Sequence, residues 1–154
     1  MTERFEVQRT IPADAATIFR TLCDPRGHVA IDASGMLQDA SGEPAAAVGD
    51  TFIIHMDREA LGDLPMGKYD VIVTITGYDQ DRFITWEVSG EGFPSMGYYY
   101  GYRLEPTDDG TVVTSIYDWS QLGESWKATG AWPIISESAL KATLGILERT
   151  VRAA

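Results

Sequence analysis

The stretch from Gly97 to Ser120 constrains this chain more than any other. It reads Gly97-Tyr-Tyr-Tyr-Gly-Tyr-Arg-Leu-Glu-Pro106, then Thr-Asp-Asp-Gly110, then Thr-Val-Val-Thr-Ser-Ile-Tyr-Asp-Trp-Ser120. Two runs rich in aromatic and β-branched residues flank a Pro-x-Asp-Asp-Gly turn, which predicts a hairpin. Side chains alternate along a strand, so Tyr98, Tyr100, Tyr102 and Leu104 share one face of the first run. Val113, Ser115, Tyr117 and Trp119 share one face of the second. A face that mixes apolar ring bodies with hydroxyl tips suits either the wall of a ligand cavity or a core whose hydroxyls reach its rim.

The rest of the pattern places this hairpin within a larger sheet. Phe5 to Ile11 alternates as a strand and Pro12 stops it. Ala15, Ile18, Phe19 and Leu22 recur at helical spacing behind Asp14. Asp24-Pro25 then sets an N-cap and a first helical position for a second helix running to about Ala33, which Gly27 keeps short. A short strand is expected at Met36–Asp39, a clear one at Thr51–Asp57 and a long one at Lys68–Thr76, with Gly77–Asp81 as the turn that follows. Arg82–Val88 is the next strand, and Gln121–Pro133 is irregular. Leu140, Leu144, Leu147 and Val151 then mark one apolar stripe on a terminal helix of about four turns.

Consecutive strands joined by short turns, with the helices segregated to either end, predict an α+β fold. Its curved antiparallel sheet of about six or seven strands wraps around the long C-terminal helix, with two short helices after the first strand. The 154 residues read as a single domain, 1–154. One amphipathic helix on a concave sheet leaves space that side chains do not fill.

Charge and special residues narrow the partners. A net charge of −11 argues against nucleic acid or an anionic membrane. The lone Cys23 reads as a buried structural thiol and fits a reducing compartment. With no signal-peptide pattern and no apolar run long enough for stable membrane insertion, a cytoplasmic protein is expected. The two histidines lack zinc-site spacing, so neither a metal nor a cofactor is assigned. Phosphate-binding glycine motifs and a Gly-x-Ser-x-Gly elbow are absent from the sequence.

His28 and Asp32 stand four apart on the second helix, and a rim or surface position is expected for the pair. His55 and Asp57 share a strand face opposite Phe52, Ile54 and Met56. With the aliphatic face inward, His55 points to solvent; reversed, it would form an acid–base pair with Asp57. Trp86 is expected in the cavity and Glu87 at the surface. The loops Arg58–Gly67 and Glu91–Gly97, which carry Met66, Phe93 and Met96, are expected to form a cavity mouth.

The order of elements resembles the SRPBCC superfamily, the helix-grip fold of START lipid-transfer domains, birch-pollen-allergen-like proteins and polyketide cyclases. The residues that carry the resemblance are Arg9-Thr-Ile-Pro-Ala-Asp-Ala-Ala-Thr-Ile-Phe19, Leu22 to His28 with Ile31–Gly35, and Tyr102–Pro106 with Asp109–Val113. Tyr117-Asp-Trp-Ser120 and Trp132-Pro133 are similar to an actinobacterial polyketide-cyclase-like branch. The resemblance implies a hydrophobic cavity between sheet and terminal helix, occupied by a small hydrophobic molecule such as a lipid or polyketide. Phe52, Ile54, Met56, Trp86, Tyr100, Tyr102, Tyr117, Trp119, Ile135 and Leu144 are the expected lining. Binding, transport or sequestration is the leading expectation. A polyketide aromatase/cyclase or dehydratase, or an interaction module docking through Trp126 and Trp132, are the alternatives. No residue pattern sets an oligomeric state.

Overall fold

A computed structural model describes residues 2–62, 65–90 and 94–153. The alternating strands assemble into one seven-stranded antiparallel sheet. In chain order its strands are β1 (Arg4–Ile11), β2 (Leu37–Ser41), β3 (Thr51–Asp57), β4 (Lys68–Asp79), β5 (Phe83–Ser89), β6 (Tyr99–Thr107) and β7 (Gly110–Asp118). Their order across the sheet is β1-β7-β6-β5-β4-β3-β2. Every neighbour from β2 to β7 is consecutive in sequence, while β1 crosses to pair with β7, from Arg4 opposite Asp118 to Ile11 opposite Thr111.

The helices lie between these strands and after them: α1 (Ala15–Cys23), α2 (Pro25–Ile31), the single-turn α3 (Glu124–Lys127) and the 17-residue α4 (Glu137–Ala153). Asp14 Oδ1 accepts the Thr17 N–H at 2.8 Å and Asp24 Oδ1 accepts the Arg26 N–H at 3.0 Å, so both aspartates cap as the sequence predicts. Leu140, Leu144, Leu147 and Val151 are all buried, which confirms the α4 stripe. Arg9 Nε meets Glu148 Oε1 at 3.1 Å and ties α4 to β1.

Five elements differ from expectation. β4 does not stop at Gly77: it runs to Asp79 through a bulge at Thr76, between the Ile75–Trp86 and Gly77–Thr85 pairs. The extra residue reverses which side chains face inward, and Tyr78 reaches Phe19 of α1, ring centroids 5.5 Å apart. A Cβ on Gly77 would sit 2.6 Å from Phe83 and Thr85, so the glycine permits close strand contact rather than a turn. α2 ends at Ile31, two residues early, and β2 lies at Leu37–Ser41 instead of Met36–Asp39. α4 is about a turn longer than expected, and α3 gives the 121–133 segment a helical turn.

Gly27 has a second role. A Cβ there would lie 1.9 Å from the Thr21 carbonyl oxygen. It therefore lets α2 fold back against the end of α1.

Candidate functional site

The inward residues of β3 to β6 and the facing helices enclose a cavity of about 500 Å³, within the range of small-molecule sites. Ile54 and Met56 of β3, with Val71 and Val73 of β4, make an aliphatic wall. Trp86 of β5 and Tyr98, Tyr100 and Tyr102 on and beside β6 make an aromatic one. Ile31 of α2 and Leu140 and Thr143 of α4 close the helical side, with Ile135 just before α4. Met66 and Trp126 line the cavity while each remaining 41% exposed, so they mark its opening.

Six of the expected lining residues meet here: Ile54, Met56, Trp86, Tyr100, Tyr102 and Ile135. Four stand behind the wall. Phe52 packs against the His28 ring, centroids 5.2 Å apart. Tyr117 is fully buried beneath Tyr100, Trp119 packs edge-on to Phe5 at 4.9 Å, and Leu144 is 1% exposed. The Tyr117 hydroxyl accepts the Ile134 N–H at 3.1 Å and so anchors the segment leading into α4.

His28 corrects the sequence reading. It is 8% exposed and lines the cavity, instead of sitting at the surface with Asp32. Its Nε2–H donates to the Leu22 carbonyl at 2.7 Å, and its ring meets Trp86 edge-on at 4.7 Å. Burial pushes its pKa down to about 4, so the imidazole is neutral at pH 7. The signal was present: Pro25, His28 and Ile31 recur every third residue, and all three are buried. Asp32 instead accepts from Ser34 N and Oγ, Gly35 N and Leu37 N, closing the turn after α2.

His55 faces away from the cavity, as the inward aliphatic face requires. Its carboxylate neighbour is Asp70 across the β3–β4 ladder, not Asp57. Glu87 accepts a hydrogen bond from Ser95 on the outer side.

The polar groups in the cavity are few. Burial pushes the Tyr98, Tyr100 and Tyr102 phenols up, so they are neutral donors at ordinary pH. Arg58, 6% exposed, also lines the cavity and reaches the Tyr69 hydroxyl at 3.4 Å. Trp132 lines it too, and its Nε1–H is buried without an acceptor among the described residues. Trp132 and the exposed Trp126 meet edge-on at 6.1 Å. Met66 and Met96 line the cavity as the loop reading expects, while Phe93 lies outside the described residues. Cys23 is buried and unpaired. Among the described residues no acidic, His or Cys cluster could hold a metal, and no helix is long and apolar enough to cross a membrane.

No family model and no curated protein matches the chain by sequence. Solved structures do. A protein from Mycobacterium smegmatis superposes with a TM-score of 0.68 at 16% identity, covering 99% of this chain and 92% of that one. An AHSA1-like protein from Aeromonas hydrophila gives 0.62 at 15% identity, covering 97% and 92%. DynU16, from the dynemicin biosynthetic locus, gives 0.62 at 15% identity over 99% of this chain and 48% of that one. The fold is a helix-grip α+β fold, a curved seven-stranded antiparallel sheet with a long C-terminal helix. What is shared at these identities is the fold. The aromatic cavity described above lies between that sheet and the long helix.

Proposed function

We propose that this protein binds a small, mainly apolar molecule in the cavity between the sheet and α4, as a carrier or sequestering protein. The observation that carries the reading is a cavity of about 500 Å³ whose walls are aliphatic on one side and aromatic on the other. Burying apolar ligand surface there is worth about 25 cal/mol per Å² before the costs of association are subtracted. The Trp132 Nε1–H, without an acceptor among the described residues, favours a ligand with an acceptor such as a carbonyl oxygen. Trp86 and Tyr100, stacked at 24° with centroids 6.1 Å apart, give that wall an aromatic surface suited to an apolar ligand.

A carrier is favoured over a cyclase by the state of His28. Its Nε2 is committed to Leu22 and its basicity is depressed, while Asp32 is committed to the turn. Neither is poised to move a proton.

The test is uptake of an uncharged apolar fluorophore such as phenylnaphthylamine by the purified protein. Thr143→Trp, on the cavity side of α4, should abolish uptake while the circular dichroism spectrum is unchanged. Undiminished uptake in a folded Thr143→Trp variant would sink the reading. Native mass spectrometry of protein from its own host would then identify any ligand retained.

A further inference from the structure

The outer face of the sheet carries a second arrangement that the cavity does not use. Ser41, at the end of β2, has its Oγ 2.8 Å from His55 Nε2 of β3. His55 Nδ1 lies 2.7 Å from Asp70 Oδ1 of β4. The strand register produces this line of three. His55 stands directly opposite Asp70, and Ser41 pairs with Ile53, which puts it on the diagonal to His55.

The two nitrogens have distinct roles. A carboxylate can only accept, so Nδ1 carries the proton that points to Asp70. Nε2 is then the acceptor for the Ser41 hydroxyl. This is the tautomer in which a histidine can take a proton from a serine, with the carboxylate holding the ring and stabilising the imidazolium that forms. Ser41 is exposed, and the His55 and Asp70 side chains are 38% and 61% exposed, so a substrate can approach all three.

Two further features surround the serine. Ile53 and Ile72 pair across β3–β4 on the same outer face, 37% and 42% exposed, one alternation from the His55–Asp70 pair. They form an apolar platform beside Ser41. Arg26 Nη1 lies 3.4 Å from the carbonyl oxygen of Gly42, the next residue after Ser41. That contact ties α2 to the end of β2.

We propose that Ser41, His55 and Asp70 form an acyl-transfer site that hydrolyses small esters with a short apolar acyl group. Ser41 Oγ attacks the ester carbonyl carbon, forming a C–O bond as its proton passes to His55 Nε2. Collapse of the adduct breaks the bond to the alkoxy group, which takes that proton from His55 and leaves as the alcohol. Water then attacks the acyl-serine, giving a proton to His55. Ser41 Oγ leaves and recovers that proton as the carboxylic acid departs. Ester and water become acid and alcohol, and no further co-reactant is needed. The platform of Ile53 and Ile72 receives the acyl chain.

The experiment has two readouts on the full-length protein. A fluorophosphonate probe, which loses fluoride as it bonds to an activated serine, is followed by peptide mass mapping. Hydrolysis of p-nitrophenyl butyrate is followed by release of nitrophenol. The label should map to Ser41, and Ser41→Ala should remove both label and turnover. His55→Gln should slow both by about a hundredfold or more, the scale of general-base catalysis. Asp70→Asn should slow them less, and Thr51→Ala, on the same face outside the three, should change neither. Circular dichroism of each variant checks the fold, and mapping the label on the unmutated protein needs no variant. A label that misses Ser41, no labelling at all, or Ser41 labelling that survives His55→Gln overturns the proposal.

Discussion

The Tyr100 and Tyr117 rings lie stacked across the β6–β7 pair, centroids 4.4 Å apart and 16° from parallel, yet only the Tyr100 ring meets the cavity. Two phenols in ring contact therefore have different work. The Tyr117 hydroxyl accepts the Ile134 N–H and holds the approach to α4. Tyr117→Phe should lower the unfolding free energy of the empty protein by about 0.5–1.5 kcal/mol, the net worth of a neutral hydrogen bond. Tyr100→Phe removes a hydroxyl that is hydrogen-bonded to Tyr117 and stands in the cavity wall, so it should cost a similar amount of stability and also weaken binding of a carbonyl-bearing ligand, whereas Tyr117→Phe should leave binding unchanged. Urea melts and calorimetry on both variants check the pair; equal effects of the two substitutions on both quantities would remove the distinction.

His28 makes stability depend on pH in a predictable direction. Its pKa in the folded protein is lowered to about 4 by burial, against about 6.5 in the unfolded chain. The unfolded state therefore binds this proton first as pH falls. Stability should drop between about pH 6.5 and pH 4 and level off below that window, by up to about 3 kcal/mol in all. Replacing the ring by a non-titrating one in His28→Phe should flatten this part of the curve. The measurement is the difference in urea midpoint between the two proteins at pH 7 and pH 4.5, which should shrink as pH falls if His28 is the titrating group.

Gly27→Ala tests the helix junction. Ordinarily this change helps a helix by about 1 kcal/mol. Here the added methyl would meet the Thr21 carbonyl oxygen at 1.9 Å, which forces α1 and α2 apart. The expected outcome is a loss of roughly 1–3 kcal/mol, the usual cost of overpacking. A raised thermal midpoint would show that α2 has slack against α1.

Cys23 should be inert in the folded state. It is 5% exposed, and burial pushes its thiol up to about 11. Reaction with Ellman's reagent at pH 8 should be negligible in native protein and complete in urea. Rapid native labelling would place the α1 end in an opened state.

The hairpin was legible because its turn residues and alternation agree: Pro106 to Gly110 turns, and the faces of Tyr100 and Tyr117 are set by parity. The cap residues Asp14 and Asp24 were legible for the same reason, each being local chemistry. The Thr76 bulge was not, since one unpaired residue leaves the composition of a strand unchanged and Gly77 also fits a turn. The cavity wall was half legible. Alternation says which face of a strand points inward, but not how deep along the curved sheet a residue lies. Ile54 and Phe52 share a face of β3, and only Ile54 reaches the cavity. The burial of His28 is not fully legible locally, because its ring partners Phe52 and Trp86 come from distant strands. The Ser41–His55–Asp70 line depends on the register of three strands, which no local pattern states.

The strand order has a consequence for how the molecule is made. β1 pairs only with β7, so the first strand synthesised waits for residues 110–118 before it joins the sheet. The residues that roof the cavity, from Trp132 to Thr143, follow every strand in the chain. In chain order the tyrosine-rich floor therefore precedes its cover. Under the proposed function, docking of α4 is then the step that closes the cavity over a ligand.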